Sequence, residues 1–235
     1  MRLDELLKFL GYGTKKEIHR LMKLKKVVID EKPEYNGKRN VEPLLHKIEV
    51  NGTRIQTSPH VYYLLNKPSG VLTANSDENH QTVMDLLKEE DRREDLYSVG
   101  RLDRSTSGLL LLTNNGPLGY EMLHPTRHVT KRYRVEIKEA LENSDILRFA
   151  EGIEFIGGVK VKPAKLEIID GHHACVEISE GKFHQVKKMF FSVGKKVEKL
   201  QRIQFGPLLL EENLPLGAYR TLTQEELEKL RPYIK

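Results

Sequence analysis

Residues 100–112 read Gly-Arg-Leu-Asp-Arg-Ser-Thr-Ser-Gly-Leu-Leu-Leu-Leu, a polar loop bounded by glycines that runs directly into an apolar stretch. The four leucines predict a buried strand, and a loop anchored by such a strand holds its side chains rigidly. Asp103 stands between Arg101 and Arg104, and cationic neighbours favour an ionised carboxylate. The loop is therefore a candidate for a nucleophile or a base, while an ordinary Asp–Arg ion pair beside a strand is the structural alternative.

Strands and helices follow one another without regular alternation on either side of this loop. Apolar and alternating patterns predict strands at residues 27–30, 48–52, 61–65, 107–113, 131–138, 165–169, 174–179 and 197–204. Helical spacing predicts helices at residues 3–10, 15–26, 82–89, 143–151, 183–193 and at the carboxyl terminus after a capping-box pattern at 223–226. The missing alternation argues against a doubly wound nucleotide-binding fold, so the sequence predicts an α+β protein.

The amino-terminal segment combines a basic helix face with an apolar one. The sequence Thr-Lys-Lys-Glu at 14–17 is a capping-box pattern, and the helix that it begins carries Lys15, Lys16, Arg20 and Lys23. Residues 1–60 hold 13 Lys and Arg against 8 Asp and Glu, whereas residues 61–235 hold 26 of each. Clustered cations favour docking on a polyanion by releasing phosphate counterions. A solvated lysine-rich surface is the alternative.

Length and composition predict two folded units in a cytoplasmic protein. A chain of 235 residues accommodates one sizeable core and a satellite domain. Pro59 interrupts helix just before a strand pattern, so we expect domains at 1–58 and 62–235 with a linker at 59–61. The first residues lack the apolar core of a signal peptide, and no stretch is long enough to span a membrane. The single cysteine, Cys175, predicts a buried structural thiol.

Four separated motifs carry a resemblance to a known family. They are residues 66–70 (Asn-Lys-Pro-Ser-Gly), 100–109 (the opening loop and its first leucine), 131–133 (Lys-Arg-Tyr) and 180–189 (Glu-Gly-Lys-Phe-His-Gln-Val-Lys-Lys-Met). Their order and spacing resemble those of the RsuA/RluB-type bacterial rRNA pseudouridine synthases. The ending at 217–223, Gly-Ala-Tyr-Arg-Thr-Leu-Thr, also looks like that family, so the resemblance covers essentially the whole chain.

The resemblance implies a fold and an activity. It implies a small S4-like RNA-binding domain, followed by a catalytic domain with a mixed, mainly antiparallel sheet. The activity is the isomerisation of a flipped uridine to pseudouridine in rRNA, without a cofactor.

It also implies roles for individual residues. Asp103 is expected to be the catalytic nucleophile, Tyr133 to pack against the base, and Lys187 to pair with Asp103 where related enzymes place a basic residue. Arg101 and Lys188, together with Arg104, are expected to contact RNA. An aspartate has three open routes: attack at C6 of the base, attack at C1′ of the sugar, or removal of the C2′ proton.

The sequence gives no sign of a metal or nucleotide site. The histidines, His184 among them, match no common zinc spacing, and Gly157-Gly158 is better explained as a hairpin turn than as a phosphate loop. We therefore expect neither a metal nor a cofactor.

Several alternatives stay open. Residues 124–128 and 162–164 resemble the small-subunit branch of the family, which favours 16S rRNA over 23S rRNA, either as naked RNA or within an assembling small subunit. A non-catalytic rRNA-binding assembly factor would keep the fold, but it would have no chemical need for Asp103, Tyr133 and Lys187. A metal-dependent nuclease would require a carboxylate cluster, which the sequence lacks. We expect a monomer that does not bind membranes.

Overall fold

The computed structural model describes residues 1–234, and these form two compact units. The first unit comprises Met1–Tyr62, Thr113–Met122 and the chain from Thr221 onward; the second comprises Tyr63–Leu112 and Leu123–Arg220. This division by packing is discontinuous along the chain. The domain limits at 1–58 and 62–235 stay a prediction, and Lys235 lies outside the described residues.

The first unit begins with two helices and a small sheet. Helix α1 spans Leu3–Phe9 and α2 spans Lys15–Lys23, and the capping box predicted at the start of α2 is confirmed by reciprocal bonds between Thr14 and Glu17. The sheet has the order β2-β1-β3-β4, with strands β1 (Val27–Ile29), β2 (Lys32–Pro33), β3 (Ile48–Val50) and β4 (Thr53–Arg54). Leucines of α1 pack with Ile18 and Met22 of α2 on the apolar side of this sheet. The S4 likeness of the unit stays a prediction.

The nine-stranded sheet is mixed, as expected. Its order is β13-β5-β7-β11-β8-β10-β9, with β12 on β11 and β6 on β7. The strands are β5 (Tyr62–Lys67), β6 (Tyr97–Ser98), β7 (Ser107–Thr113), β8 (Lys131–Ile137), β9 (Lys165–Ile168), β10 (His173–Ile178), β11 (Val197–Phe205), β12 (Leu208–Leu209) and β13 (Tyr219–Thr221). Strand β11 pairs with β7 in parallel and with β8 antiparallel, and β10 is antiparallel to both β8 and β9. The α+β class is thereby confirmed, and the single cysteine is buried on β10.

A glycine allows β7 to approach β11 closely at the end of the opening loop. Gly108 has φ +106°, and a Cβ on it would stand 2.2 Å from the backbone oxygen of Arg202. Any other residue would be strained there for two reasons: the positive φ is unfavourable for it, and its Cβ would collide with the Arg202 backbone. This contact fixes the loop at residues 100–107 against β11, and the leucines that follow in β7 are fully buried.

The remaining helices agree only in part with the sequence pattern. Helix α4 spans Asn143–Glu151 as predicted, and α6 spans Gln224–Leu230 behind its predicted capping box. Helix α3, Gly116–Leu123, was not predicted.

The helix predicted at 82–89 is wrong, because Thr82 forms a β-bridge with Leu72 and residues 83–86 form turns. There the Asp85 carboxylate accepts hydrogen bonds from the backbone and hydroxyl of Thr82, at 2.7 and 2.9 Å. Such local side-chain bonds compete with helix formation. Helix α5 spans Gln185–Ser192, two residues later than predicted at its start.

Candidate active site

The loop around Asp103 is a tight turn held at several points. The Thr106 N–H donates to the Asp103 carbonyl at 3.0 Å, which closes a four-residue turn. On the preceding residue, the Leu102 carbonyl accepts from the Thr73 hydroxyl at 2.8 Å, and the Leu102 N–H donates back to the same hydroxyl at 3.2 Å. These hydrogen bonds hold the loop in place on the amino-terminal side of Asp103.

A buried lysine holds the other side of this turn. Lys67, the last residue of β5, is fully buried, and its Nζ donates to the carbonyls of Pro68 and Thr106 at 3.0 and 2.9 Å. The same ammonium lies 3.3 Å from the carbonyls of Asp103 and Arg104. Burial lowers the pKa of Lys67 to about 8, against the opposing effect of the Asp103 carboxylate. One cation thus gathers four backbone oxygens, three of them from the loop.

The two arginines that flank Asp103 in sequence do not pair with its carboxylate. The Arg104 Nε donates to the Gly70 carbonyl at 3.0 Å, and the Gly70 N–H donates back to the Arg104 carbonyl at 2.7 Å. Arg104 therefore ties the loop to residues 66–70. Arg101 is exposed and lines the same cavity as Asp103. Contacts of both residues with RNA stay a prediction.

The carboxylate of Asp103 instead faces a lysine and a histidine from the first turn of α5 and the residue before it. Lys187 Nζ lies 3.6 Å from Oδ2, and it also donates to the Ser105 hydroxyl at 2.6 Å. His184 Nε2 lies 3.5 Å from Oδ1. The Asp103 side chain is 28% exposed, so it is desolvated on one side and open on the other. The carboxylate is therefore accessible to a substrate from its open side.

His184 reaches Asp103 because of an unusual backbone conformation. Its φ is +54°, in the left-handed region, and it caps the start of α5. The turn before it is fixed by Gln185, whose Oε1 accepts from the Lys182 N–H at 2.8 Å and whose Nε2 donates to Glu180 at 3.0 Å. The exposed ring of Phe183 stacks on the His184 ring with centroids 3.8 Å apart.

The neighbouring lysine points elsewhere. Lys188 Nζ lies over the rings of Phe183 and Phe155, at 5.1 and 5.8 Å from their centroids. Two adjacent lysines of α5 thus have different contacts: Lys187 lies near Asp103, and Lys188 lies over aromatic rings.

Tyr133 lies in the sheet beside the loop. It is buried on β8 opposite Arg202 of β11, and it lines the same narrow cavity of about 70 Å³ as Asp103. Burial raises the pKa of Tyr133, and the neighbouring guanidinium of Arg202 opposes this change. The phenol is therefore neutral at physiological pH. Ligand pockets commonly measure about 300–1,000 Å³, so a base enters this cavity only if side chains at its rim move.

The basic residues predicted on α2 are all exposed. Lys15 and Lys16 line a separate cavity of about 580 Å³ in the first unit, which Arg20 and Lys23 do not line. Among residues 1–234, no three His, Cys, Asp or Glu side chains come together in a group that could hold a metal ion. Within the same residues, no helix is long and apolar enough to cross a membrane.

Comparison with known proteins places this geometry in a family. Residues 61–192, which contain all four motifs, match the family described as RNA pseudouridylate synthase. The chain belongs to this family. A Bacillus subtilis relative named uncharacterized RNA pseudouridine synthase YtzG is 42% identical over 234 residues, 98% of each chain. The ribosomal small subunit pseudouridine synthase A of Vibrio cholerae is 35% identical over 98% of this chain and 99% of its own.

A solved structure agrees with this assignment. A crystal structure of a pseudouridylate synthase superposes with a TM-score of 0.69 at 33% identity, covering 98% of this chain and 99% of the other. The fold and the RNA-modifying, isomerase class of the enzyme thus follow from the whole chain. The catalytic and RNA-contact roles of individual residues stay proposals.

Sequence reasoning gave no role to three residues of this pseudouridine synthase that shape the site. They are Lys67, His184 and Arg202. Lys67 lies in the motif at residues 66–70. A lysine directly after an apolar strand pattern indicates a buried ammonium that needs partners, and this signal could have identified it. His184 also lies in a motif, but its spacing was informative only about metal ligands and gave no sign of a contact with Asp103. Arg202 is fully buried with its Nε on the Leu109 carbonyl at 2.8 Å, and no motif pointed to it.

Proposed function

We propose that this pseudouridine synthase isomerises a specific uridine of 16S rRNA with Asp103 as its catalytic residue. The observation that carries the proposal is the Asp103 carboxylate, which lines a cavity with Tyr133 and faces Lys187 and His184. The small-subunit target rests on relatives named ribosomal small subunit pseudouridine synthase A, including one 41% identical over 72% of this chain.

The reaction leaves the atomic composition of the uridine unchanged. The N1–C1′ bond breaks, the base rotates while it is retained, and a C5–C1′ bond forms; C5 loses its proton and N1 gains one. Asp103 begins this sequence by attack at C6, by attack at C1′, or by removal of the C2′ proton. Each route uses the Asp103 carboxylate as a nucleophile or a base, and the Lys187 ammonium lies 3.6 Å from it.

Tyr133 serves as a neutral surface for the extruded base. A uridine must leave its helix to reach Asp103, and an aromatic ring offers it a stacking partner. Because burial raises the pKa of Tyr133, its hydroxyl keeps its proton and acts as a hydrogen-bond or proton donor rather than as a base. The narrow cavity opens for the base by movement of the exposed rim residues Arg101 and Lys182.

RNA is held by cations outside the reacting centre. Lys15, Lys16, Arg20 and Lys23 of α2 contact phosphates of the rRNA, and affinity therefore falls as salt rises. Arg101, Arg104 and Lys188 contact the RNA near the flipped uridine. The enzyme acts as a monomer without a cofactor.

The test maps pseudouridine in RNA treated with the wild type and Asp103→Asn. Substrates are 16S and 23S rRNA transcripts and partially assembled particles, because the target and its context are part of the proposal. Asp170→Asn, in the exposed turn between β9 and β10, is the matched control. We expect one new pseudouridine in 16S RNA with wild type and control and none with Asp103→Asn. Equal product from all three proteins would remove Asp103 from the mechanism, and product in 23S RNA alone would overturn the target.

A further inference from the structure

The first unit contains a cavity of about 580 Å³ that the proposed chemistry at Asp103 does not use. It lies between the start of α1, one face of α2 and residues 35–38. Its floor is apolar, formed by the buried side chains of Ile18 and Met22. Tyr35 lines the cavity, and 54% of this residue is exposed. An apolar floor beside an exposed aromatic ring suits a flat, apolar-faced ligand.

The segment that carries Tyr35 is preorganised. Glu34 Oε1 accepts from the backbone N–H groups of Tyr35 and Asn36 at 2.9 and 2.8 Å, and the Gly37 carbonyl accepts from the Asp4 N–H at 2.9 Å. A Cβ on Gly37 would stand 3.2 Å from both the Asp4 Cβ and the Met22 Cε, so a glycine lets the segment lie this close. The cavity is therefore built into the fold before any ligand binds.

The charge around the cavity is positive. Lys15, Lys16 and Lys38 are exposed and line it. The carboxylate that lines it, Asp4, is engaged by Arg2 through two hydrogen bonds, at 3.0 and 2.6 Å. The ligand that complements this wall and rim is planar on one side and anionic on the other.

We propose that this cavity binds one unpaired nucleotide of the substrate RNA. The base stacks on Tyr35 above Ile18 and Met22, and its phosphates meet Lys15 and Lys38. A paired base is stacked within its helix and cannot enter, so the site selects single-stranded RNA. An acidic peptide would match the lysines, but it would leave the aromatic wall and apolar floor unfilled. The inference rests on the proposed RNA substrate and extends it to a second contact point.

The test compares binding of a 16S rRNA transcript by full-length variants. Tyr35→Leu removes the ring, Tyr35→Phe keeps it, and Phe9→Leu is the control, because Phe9 is an exposed aromatic of the same unit outside the cavity. We expect Tyr35→Leu to weaken binding by about 5- to 150-fold, the equivalent of about 1–3 kcal/mol for one stacked base. Tyr35→Phe and Phe9→Leu keep wild-type affinity.

The salt dependence of binding distinguishes the contacts to the base from the contacts to the phosphates. Lys38→Gln is expected to lower the slope of log K against log salt by about 0.7, the value for one single-strand phosphate contact, whereas Tyr35→Leu leaves the slope unchanged. Kinetically, Tyr35→Leu raises KM and leaves kcat at saturating RNA unchanged.

Wild-type affinity in Tyr35→Leu would overturn the nucleotide site, and so would equal weakening in Phe9→Leu. Competition by polyglutamate but not by single-stranded oligoribonucleotides would also overturn it, in favour of an acidic peptide. The proposed function fails separately. If RNA binding depends on Tyr35 but no pseudouridine forms in 16S rRNA, the nucleotide site stands and the proposed target is wrong. If pseudouridine forms in 16S rRNA through Asp103 but Tyr35→Leu binds RNA normally, the proposed function stands and the nucleotide site is wrong.

Discussion

Replacing Lys67 with methionine is expected to abolish most of the activity without unfolding the protein. Lys67 is fully buried, and its ammonium is bonded to the loop carbonyls around Asp103. Methionine fills similar space but cannot donate, so the loop loses the group that draws its carbonyls together. A misplacement of about 1 Å at a reacting group costs about 100-fold in rate. We therefore expect kcat to fall about 100-fold while the affinity for RNA is unchanged.

Two effects of this substitution on the free energy of unfolding oppose each other. A pKa lowered from 10.5 to about 8 corresponds to about 3 kcal/mol of destabilisation of the buried ammonium of Lys67, which methionine relieves. Methionine also leaves the carbonyls of Pro68 and Thr106 without this donor, and each buried acceptor left unpaired costs about 1–3 kcal/mol. The net change lies within about 3 kcal/mol of zero, so we expect Lys67→Met to remain folded.

The assay is single-turnover release of tritium from RNA that carries uridine labelled at C5, because C5 loses its hydrogen when the new bond forms. Lys131→Met is the matched control: burial also lowers the pKa of Lys131 to about 8, but its Nζ donates to the Val129 carbonyl, outside the loop. The control should keep the wild-type rate. A wild-type rate in Lys67→Met, or equal losses in both variants, would refute the role of Lys67 in holding the loop.

Three further outcomes test the site and its scaffold. As pH rises from 8 towards 10.5, the folded protein loses a Lys67 proton that the unfolded chain keeps, so the free energy of unfolding rises. Over the same range kcat falls, because the hydrogen bonds from the Lys67 ammonium to the loop carbonyls weaken when it loses its charge. A pH series of unfolding titrations and rate measurements checks both. Gly108→Ala places a Cβ 2.2 Å from a backbone oxygen of β11, and urea titration should show a loss of at least about 3 kcal/mol. Lys187→Met, which removes the cation 3.6 Å from Asp103, should lower kcat about 10- to 100-fold, whereas Lys188→Met should weaken RNA binding alone; equal kcat in both variants would contradict the pairing.

The sequence predicted many elements of both units because their patterns are local. The apolar run after Gly108 fills β7, and the capping boxes at Thr14 and Thr223 begin helices α2 and α6. The pattern at 82–89 failed for a local reason too, since Thr82 and Asp85 bond to each other and replace the helix with turns. Local chemistry decided all these segments, and in the last it overrode the apolar spacing.

The partners of Asp103 could not be predicted from its neighbours in the chain. Arg101 and Arg104 lie within two residues of Asp103 in sequence, yet its carboxylate faces Lys187 of α5 and His184 at the start of that helix. Resemblance to the family suggested Lys187 but gave no role to His184. The approach of His184 depends on its left-handed backbone, a conformation that periodicity does not encode.

The buried lysine shows the same limit more sharply. Lys67 ends a strand whose residues are all buried, and three of the four acceptors around its ammonium lie 36–39 residues away in the loop. Nothing in the local pattern around residue 67 names those carbonyls. Long-range hydrogen bonds of this kind become visible only once the strand and the loop are placed together.

The most direct test of the central claim is tritium release by Asp103→Asn under single-turnover conditions, with enzyme in excess over 16S rRNA labelled at uridine C5. Asparagine keeps the size of the side chain but supplies neither a nucleophilic carboxylate nor a base. We expect Asp103→Asn to bind the RNA as tightly as the wild type and to release no tritium above background. Release at the wild-type rate would contradict this expectation.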